Sequence, residues 1–131
     1  MAGFDWNQFY TLIKTKLEST GETTVGRYTI PKNPQYPYTD ISLADVPGGN
    51  YDLRNNEHSE RPLIVIEVYC DNYDHARCLE ISQAAKELML TYGFQCIAGP
   101  RNVDNSDPSV ARWVARYQRI FAKGDTLRSI H

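Results

Sequence analysis

The sequence predicts an α+β fold, with one mainly antiparallel or mixed sheet of about five strands and two helices packed on one face. Three observations carry this expectation. Apolar residues recur at spacings of three and four in two segments, the mark of a half-buried helix. Segments rich in β-branched and aromatic residues lie between and after them. The resulting order is helix, three strands, helix, two strands, which suits a sheet with helices on it better than alternating βα units do.

The first helix is expected from about Phe4 to Ser19, with Trp6, Phe9 or Tyr10, Ile13 and Leu17 on one face and Gly21 as its stop. Thr24 to Ile30 reads as a strand ended by Pro31 and Pro34. Tyr38 to Ala44 reads as the next, closed by Pro47, Gly48 and Gly49. The stretch Asn50 to Arg61 is polar and fits a long hairpin arm better than packed structure. Over Asp45 to Arg61 the few apolar residues, chiefly Val46, Tyr51 and Leu53, predict a segment that is mobile in a free subunit and ordered in an assembly.

The strongest strand is Leu63 to Cys70. Ile64, Ile66 and Val68 point one way while Leu63, Val65 and Tyr69 point the other, so both faces are apolar apart from Glu67. Asp71, Asn72 or Asp74 is placed to cap a second helix, His75 to about Tyr92, whose stripe is Cys78, Ile81, Ala85, Leu88 and Tyr92 and whose stop is Gly93. A short strand, Phe94 to Ala98, leads to a turn-rich loop, Gly99 to Ser109. In the last strand Trp113, Ala115, Tyr117 and Phe121 alternate with Arg112, Val114, Arg116 and Gln118. Two helices cover one sheet face, so the apolar second face of Leu63 to Cys70 calls for another covering, for which a further copy of the chain would serve.

Composition narrows the function classes. A chain of 131 residues is the size of one domain, and the expected organisation is a single domain over residues 1–131. Net charge is −2 and the isoelectric point about 5.9, so nothing draws the whole molecule to nucleic acid or to an anionic membrane. No apolar run approaches the ~20 residues of a bilayer span, and Met1 to Gln8 has no secretion pattern, which predicts synthesis in the cytoplasm. Cys70, Cys78 and Cys96 are odd in number and lack CxxC spacing, so reduced thiols are expected.

No phosphate cradle, zincin or nucleophile-elbow motif is present, and the chain is read as non-enzymatic and without a cofactor. Cys70, His75, Cys78 and Cys96 would together make a four-ligand zinc set, but the spacing is irregular and Cys78 belongs to an apolar stripe, so the expected metal set is none. His58 with Glu57, an acid–base pair in principle, sits among loop charges that would not shift its pKa. Arg112, Arg116, Arg119, Lys123 and Arg128 interleave with aromatic residues as in single-strand nucleic-acid binders, yet the alternation turns the rings toward the core, so no specific nucleic acid is expected.

Charge by segment says more. Residues 1–39 hold four basic and three acidic side chains, residues 40–87 four and ten, residues 88–131 six and three. An acidic middle and a basic end suit a head-to-tail ring in which two different surfaces meet.

These features, in this order, resemble the tail terminator or tail completion family of long-tailed bacteriophages. The likeness rests on the amphipathic first helix, Tyr36-Pro37-Tyr38-Thr39-Asp40-Ile41 entering a strand, the polar arm, Leu63-Ile64-Val65-Ile66-Glu67-Val68-Tyr69, the polar turn Asp71 to Asp74, Tyr92-Gly93-Phe94 and Arg116-Tyr117. Where the family often has tryptophan then serine, this chain has Tyr69 and Cys70. The resemblance implies a hexameric ring in the virion at the tail–neck junction. It would cap the tail tube, stop its polymerisation and join tail to head, with tail tube protein and a neck or head-tail connector protein as partners and no membrane. Another neck or head-completion subunit is the alternative, and a small enzyme using His58 or Cys70 the contrasting class. On the resemblance, the contact residues for ring, tube or neck are Asn50, Tyr51, Asp52, Arg54, Glu57, Glu60 and Arg61 of the arm. With them go Arg101 and Asp104 of the later loop and Arg112 and Arg116 of the last strand.

Overall fold

A computed structural model describes residues 4–28, 34–45, 48–49 and 59–122. The elements run α1 (Trp6–Glu18), β1 (Thr24–Gly26), β2 (Tyr38–Asp45), β3 (Gly48–Gly49), β4 (Ser59–Glu60), β5 (Leu63–Cys70), α2 (His75–Thr91), β6 (Gln95–Asn102), β7 (Ala111–Gln118) and β8 (Phe121–Ala122). The main sheet is mixed and has the order β1-β2-β5-β7-β6, with β1 parallel to β2 and every other pairing antiparallel. β5 is central, as its two apolar faces predict.

Pairing register sorts the side chains. Ile41, Ile66 and Ala115 lie in one row, and Thr39, Val68 and Trp113 in the next, all on the face that meets the helices. There Phe9, Ile13 and Leu17 of α1 and Cys78, Ile81, Ala85 and Met89 of α2 join Ile64, Ile66, Val68 and Tyr117 in one buried cluster. Asp5 caps α1 by accepting from the Gln8 amide at 3.1 Å, so the helix begins two residues later than expected. Of the three capping candidates for α2 it is Asp74 whose side chain accepts an amide hydrogen, that of Arg77. The α2 stripe is Cys78, Ile81, Ser82, Ala85 and Met89; Leu88 and Tyr92 lie half-buried at its margin, because Met89 follows Ala85 by one helical turn and aims at the sheet.

Three other expectations change. β1 ends at Gly26 rather than Ile30, because Tyr28 takes a left-handed backbone (φ 65°); residues 29–33 lie outside the described residues. β6 runs on through Pro100 to Asn102, so Arg101 is a strand residue and the loop begins later than Gly99. Gly99 makes this continuation possible: at φ 82° it brings its backbone against the Val114 carbonyl, where any Cβ would collide, and two register shifts absorb the extra residues as bulges. The final strand is broken at Arg119 and Ile120, leaving Phe121 in the separate strand β8. β8 pairs with β4, and β4 with β3, so the two feet of the predicted arm form a hairpin base stitched to β8.

Candidate assembly surface

The face of the main sheet turned away from the helices holds the polar exceptions of otherwise apolar strands. Its rows follow from register: Tyr38, Tyr69 and Arg112; then Asp40, Glu67, Val114 and Arg101; then Ser42, Val65, Arg116 and Ala98; then Leu63 and Gln118. One end is closed by a small second core of Tyr38, Tyr69 and Val110 with Tyr36 against it.

Beside that core lies a hydrogen-bonded ladder. Glu67 Oε2 accepts from the Tyr69 hydroxyl at 2.6 Å and from Arg112 Nε at 3.0 Å, and pairs with Arg112 Nη2 at 2.9 Å. Arg112 also donates Nη1 to the Asp104 carbonyl at 3.3 Å, tying the loop to the strand. Burial, with Glu67 as acceptor, pushes the Tyr69 hydroxyl well above the ordinary tyrosine range, so it stays a donor. Asp40 is 6% exposed; its Oδ2 accepts from the Ser42 hydroxyl at 2.8 Å and its Oδ1 finds no partner among the described residues. Burial holds its carboxyl above the usual range, opposed by Ser42 and reinforced by the charge of Glu67.

Across the same face, toward β6, the chemistry changes. Val65 and Val114 are half-buried, Arg101 and Arg116 are exposed, and neither arginine has an ion partner among the described residues. An apolar floor beside two unneutralised guanidinium groups has the composition of a binding patch.

The contact residues expected from sequence divide three ways. Arg101, Arg112 and Arg116 share this face, with Asp104 joined to Arg112 through its carbonyl. Glu60 lies in β4 of the small sheet, and the Arg61 carbonyl accepts from Gln118 Nε2 at 3.4 Å at the junction of the two sheets. Asn50, Tyr51, Asp52, Arg54 and Glu57 lie outside the described residues, as does His58. Sequence reasoning missed Asp40, Tyr69 and Glu67. The signal was there: Glu67 is the one charge within Leu63 to Cys70, and Asp40 the one charge in the strand that pairs with it before Asp45.

The other constellations resolve into structural roles. Cys70 and Cys78 are neighbours in the core, and the Cys78 thiol donates to the Val68 and Ala111 carbonyls at 3.4 Å; contact with Cys70 and burial push that thiol far up. Cys96 pairs with Tyr117 on β7 whereas Cys70 pairs with Ala111, a separation of about 20 Å along the strand at ~3.3 Å per residue. His75 Nδ1 accepts from Trp113 Nε1 at 3.0 Å. Among the described residues no group of three or more metal-ligating side chains gathers. Arg119, one of the basic residues that the sequence sets in the last strand, is 5% exposed and donates to the Tyr92 carbonyl at 2.6 Å, while its guanidinium lies 4.0 Å over the Phe121 ring. It caps the end of α2 and is not available to a phosphate backbone.

No helix among the described residues is long and apolar enough to cross a membrane. No protein-family model and no curated protein sequence matches the chain. The fold does have a likeness among solved structures. A chain from the virion of a native gene transfer agent particle superposes with a TM-score of 0.52 at 13% identity, over 82% of this chain and 83% of that one. The protein therefore shares its α+β architecture, over about four-fifths of its length, with a component of that particle.

Proposed function

We propose that this protein is a structural subunit of a phage-like virion, and that it works as a tail terminator: a ring, hexameric by the family pattern, that caps the tail tube and joins it to the neck. The observation that carries the reading is the likeness of fold to the gene transfer agent virion chain across more than four-fifths of both chains. The residues agree with it. The most distinctive feature of the described surface is a sheet face with half-buried valines beside arginines that have no ion partner among the described residues, a composition suited to protein contact. On this reading function is geometric: a ring sits on the last tube subunits, occupies the surface on which another would add, and offers its opposite side to the connector.

Imaging of purified particles, with the chain labelled by a fused tag, tests the proposal. A ring of about six copies between tube and connector is what the family resemblance implies, and closed cyclic symmetry suits such a ring. Particles that lack the chain should carry tails of uncontrolled length or unjoined heads. Location of the label elsewhere in the neck would replace the terminator role with a head-completion one, and its absence from particles would end the virion reading.

A further inference from the structure

The outward sheet face leaves a specific electrostatic problem. Arg116 stands opposite Val65, and Arg101 opposite Val114, so the two cations flank an apolar floor. Carboxylates on the same face are not free to answer them: Glu67 is held by Arg112 and Tyr69, and Asp40 is buried. The face cannot pair with its own copy across a twofold axis at this end, because that would bring guanidinium groups together. It requires a different, acidic surface.

The sequence of this chain contains one. Between its two feet the arm, residues 50–58, carries the carboxylates Asp52 and Glu57 against Arg54 alone. This segment leaves the main sheet beside the same rows, since Asp45 pairs with Leu63 and the Arg61 carbonyl is bonded to Gln118. We propose that the patch of Val65, Val114, Arg101 and Arg116 receives the arm of a second copy of this chain, with Asp52 and Glu57 answering the two guanidinium groups, so that each subunit gives its arm to one neighbour and its sheet face to receive the arm of the other. The contact is heterologous and builds a ring. This deepens the terminator reading and rests on it for the ring, but the chemistry is a property of the chain's own two surfaces.

Two charge-reversed variants of the full chain test it. R101E/R116E turns the patch acidic; D52K/E57K turns the segment basic. The arginines are exposed strand residues without partners, so a thermal melt of R101E/R116E should match the parent. Sedimentation should show the parent chain as an oligomer, and each variant alone weakened by about tenfold or more, because like charges then face each other. An equimolar mixture should regain association, since each variant's arm now matches the other's patch; a contact within one chain would gain nothing from mixing. A parent that stays monomeric to 100 μM or so, variants that associate like the parent, or a mixture that does not recover would each overturn the arm-to-face contact. The place of the chain in the particle, read by labelling, is a separate measurement, so the terminator reading survives or fails independently.

Discussion

Tyr117 is the largest fully buried side chain among the described residues, and its hydroxyl has no hydrogen-bond partner among them. Burial pushes that hydroxyl far above its ordinary pKa, so it stays protonated and unsatisfied at any physiological pH. A buried orphan donor costs about 1–3 kcal/mol, and removing it while keeping the ring recovers part of that cost. Y117F should therefore fold with equal or greater stability, by up to about 1 kcal/mol in denaturant titration; a loss of more than that would mean the hydroxyl is bonded. Asp40 poses the related question for a charge. Its folded pKa is raised, so between the unfolded value near 3.8 and the folded one the native state holds more protons, and stability falls as pH rises through that window. D40N keeps an acceptor for Ser42 and removes the titration. Its stability relative to the parent should grow as pH rises from about 4 and level off above the folded pKa, as melts across a pH series would show. A difference independent of pH would place the ionised carboxylate in contact with a cation.

At the scale of elements, α2 is held at both ends by side chains from outside its own apolar stripe. Asp74 closes the start, and the finish is closed by Arg119, which reaches from beyond β7 to the Tyr92 carbonyl and lies against Gly93, where the chain turns at φ 80°. Arg119 lies where β7 would otherwise continue into β8, so one residue both ends a strand and caps a helix. R119L keeps the packing over Phe121 and loses the charged hydrogen bond. It should lower stability by about 1.5–3 kcal/mol, the range for bonds to charged groups, and speed hydrogen exchange in the last turn of α2 more than in its first. Uniform loosening would show that the arginine acts through packing alone.

For the whole molecule, the base of the arm and its tip separate. Gly48, Gly49, Ser59 and Glu60 form a hairpin base joined to β8, so these belong to the folded body. Excision of residues 50–58 with two glycines in their place therefore preserves the strand pairs, and the melting temperature should stay within a few degrees of the parent. Ring formation or the joining of particles should be abolished, because the acidic contact has gone. An excision that also removed Ser59 and Glu60 should destabilise the fold as well. Full infectivity with the shortened arm would mark residues 50–58 as a passive loop.

The sequence by itself determined the two helices, the central place of Leu63 to Cys70 and the coverage of its inner face, because these follow from local periodicity and from a strand apolar on both sides. It also indicated the hairpin arm, since turn formers and polar residues leave little else between two strands. Only tertiary structure decided the rest. Arg119 reads as one more basic residue of the last strand until the fold brings it to α2; the distance of Cys96 from Cys70 and Cys78 is fixed only by β7, which sets them at opposite ends. Pro100 reads as a strand breaker until Gly99, at positive φ, lets β6 bulge past it along an edge. The patch of Val65, Val114, Arg101 and Arg116 belongs to three separate strands, and antiparallel register alone makes them neighbours. Local patterns report which face of an element is buried; which distant residues share that face is settled by pairing, and pairing is a long-range property of the folded chain.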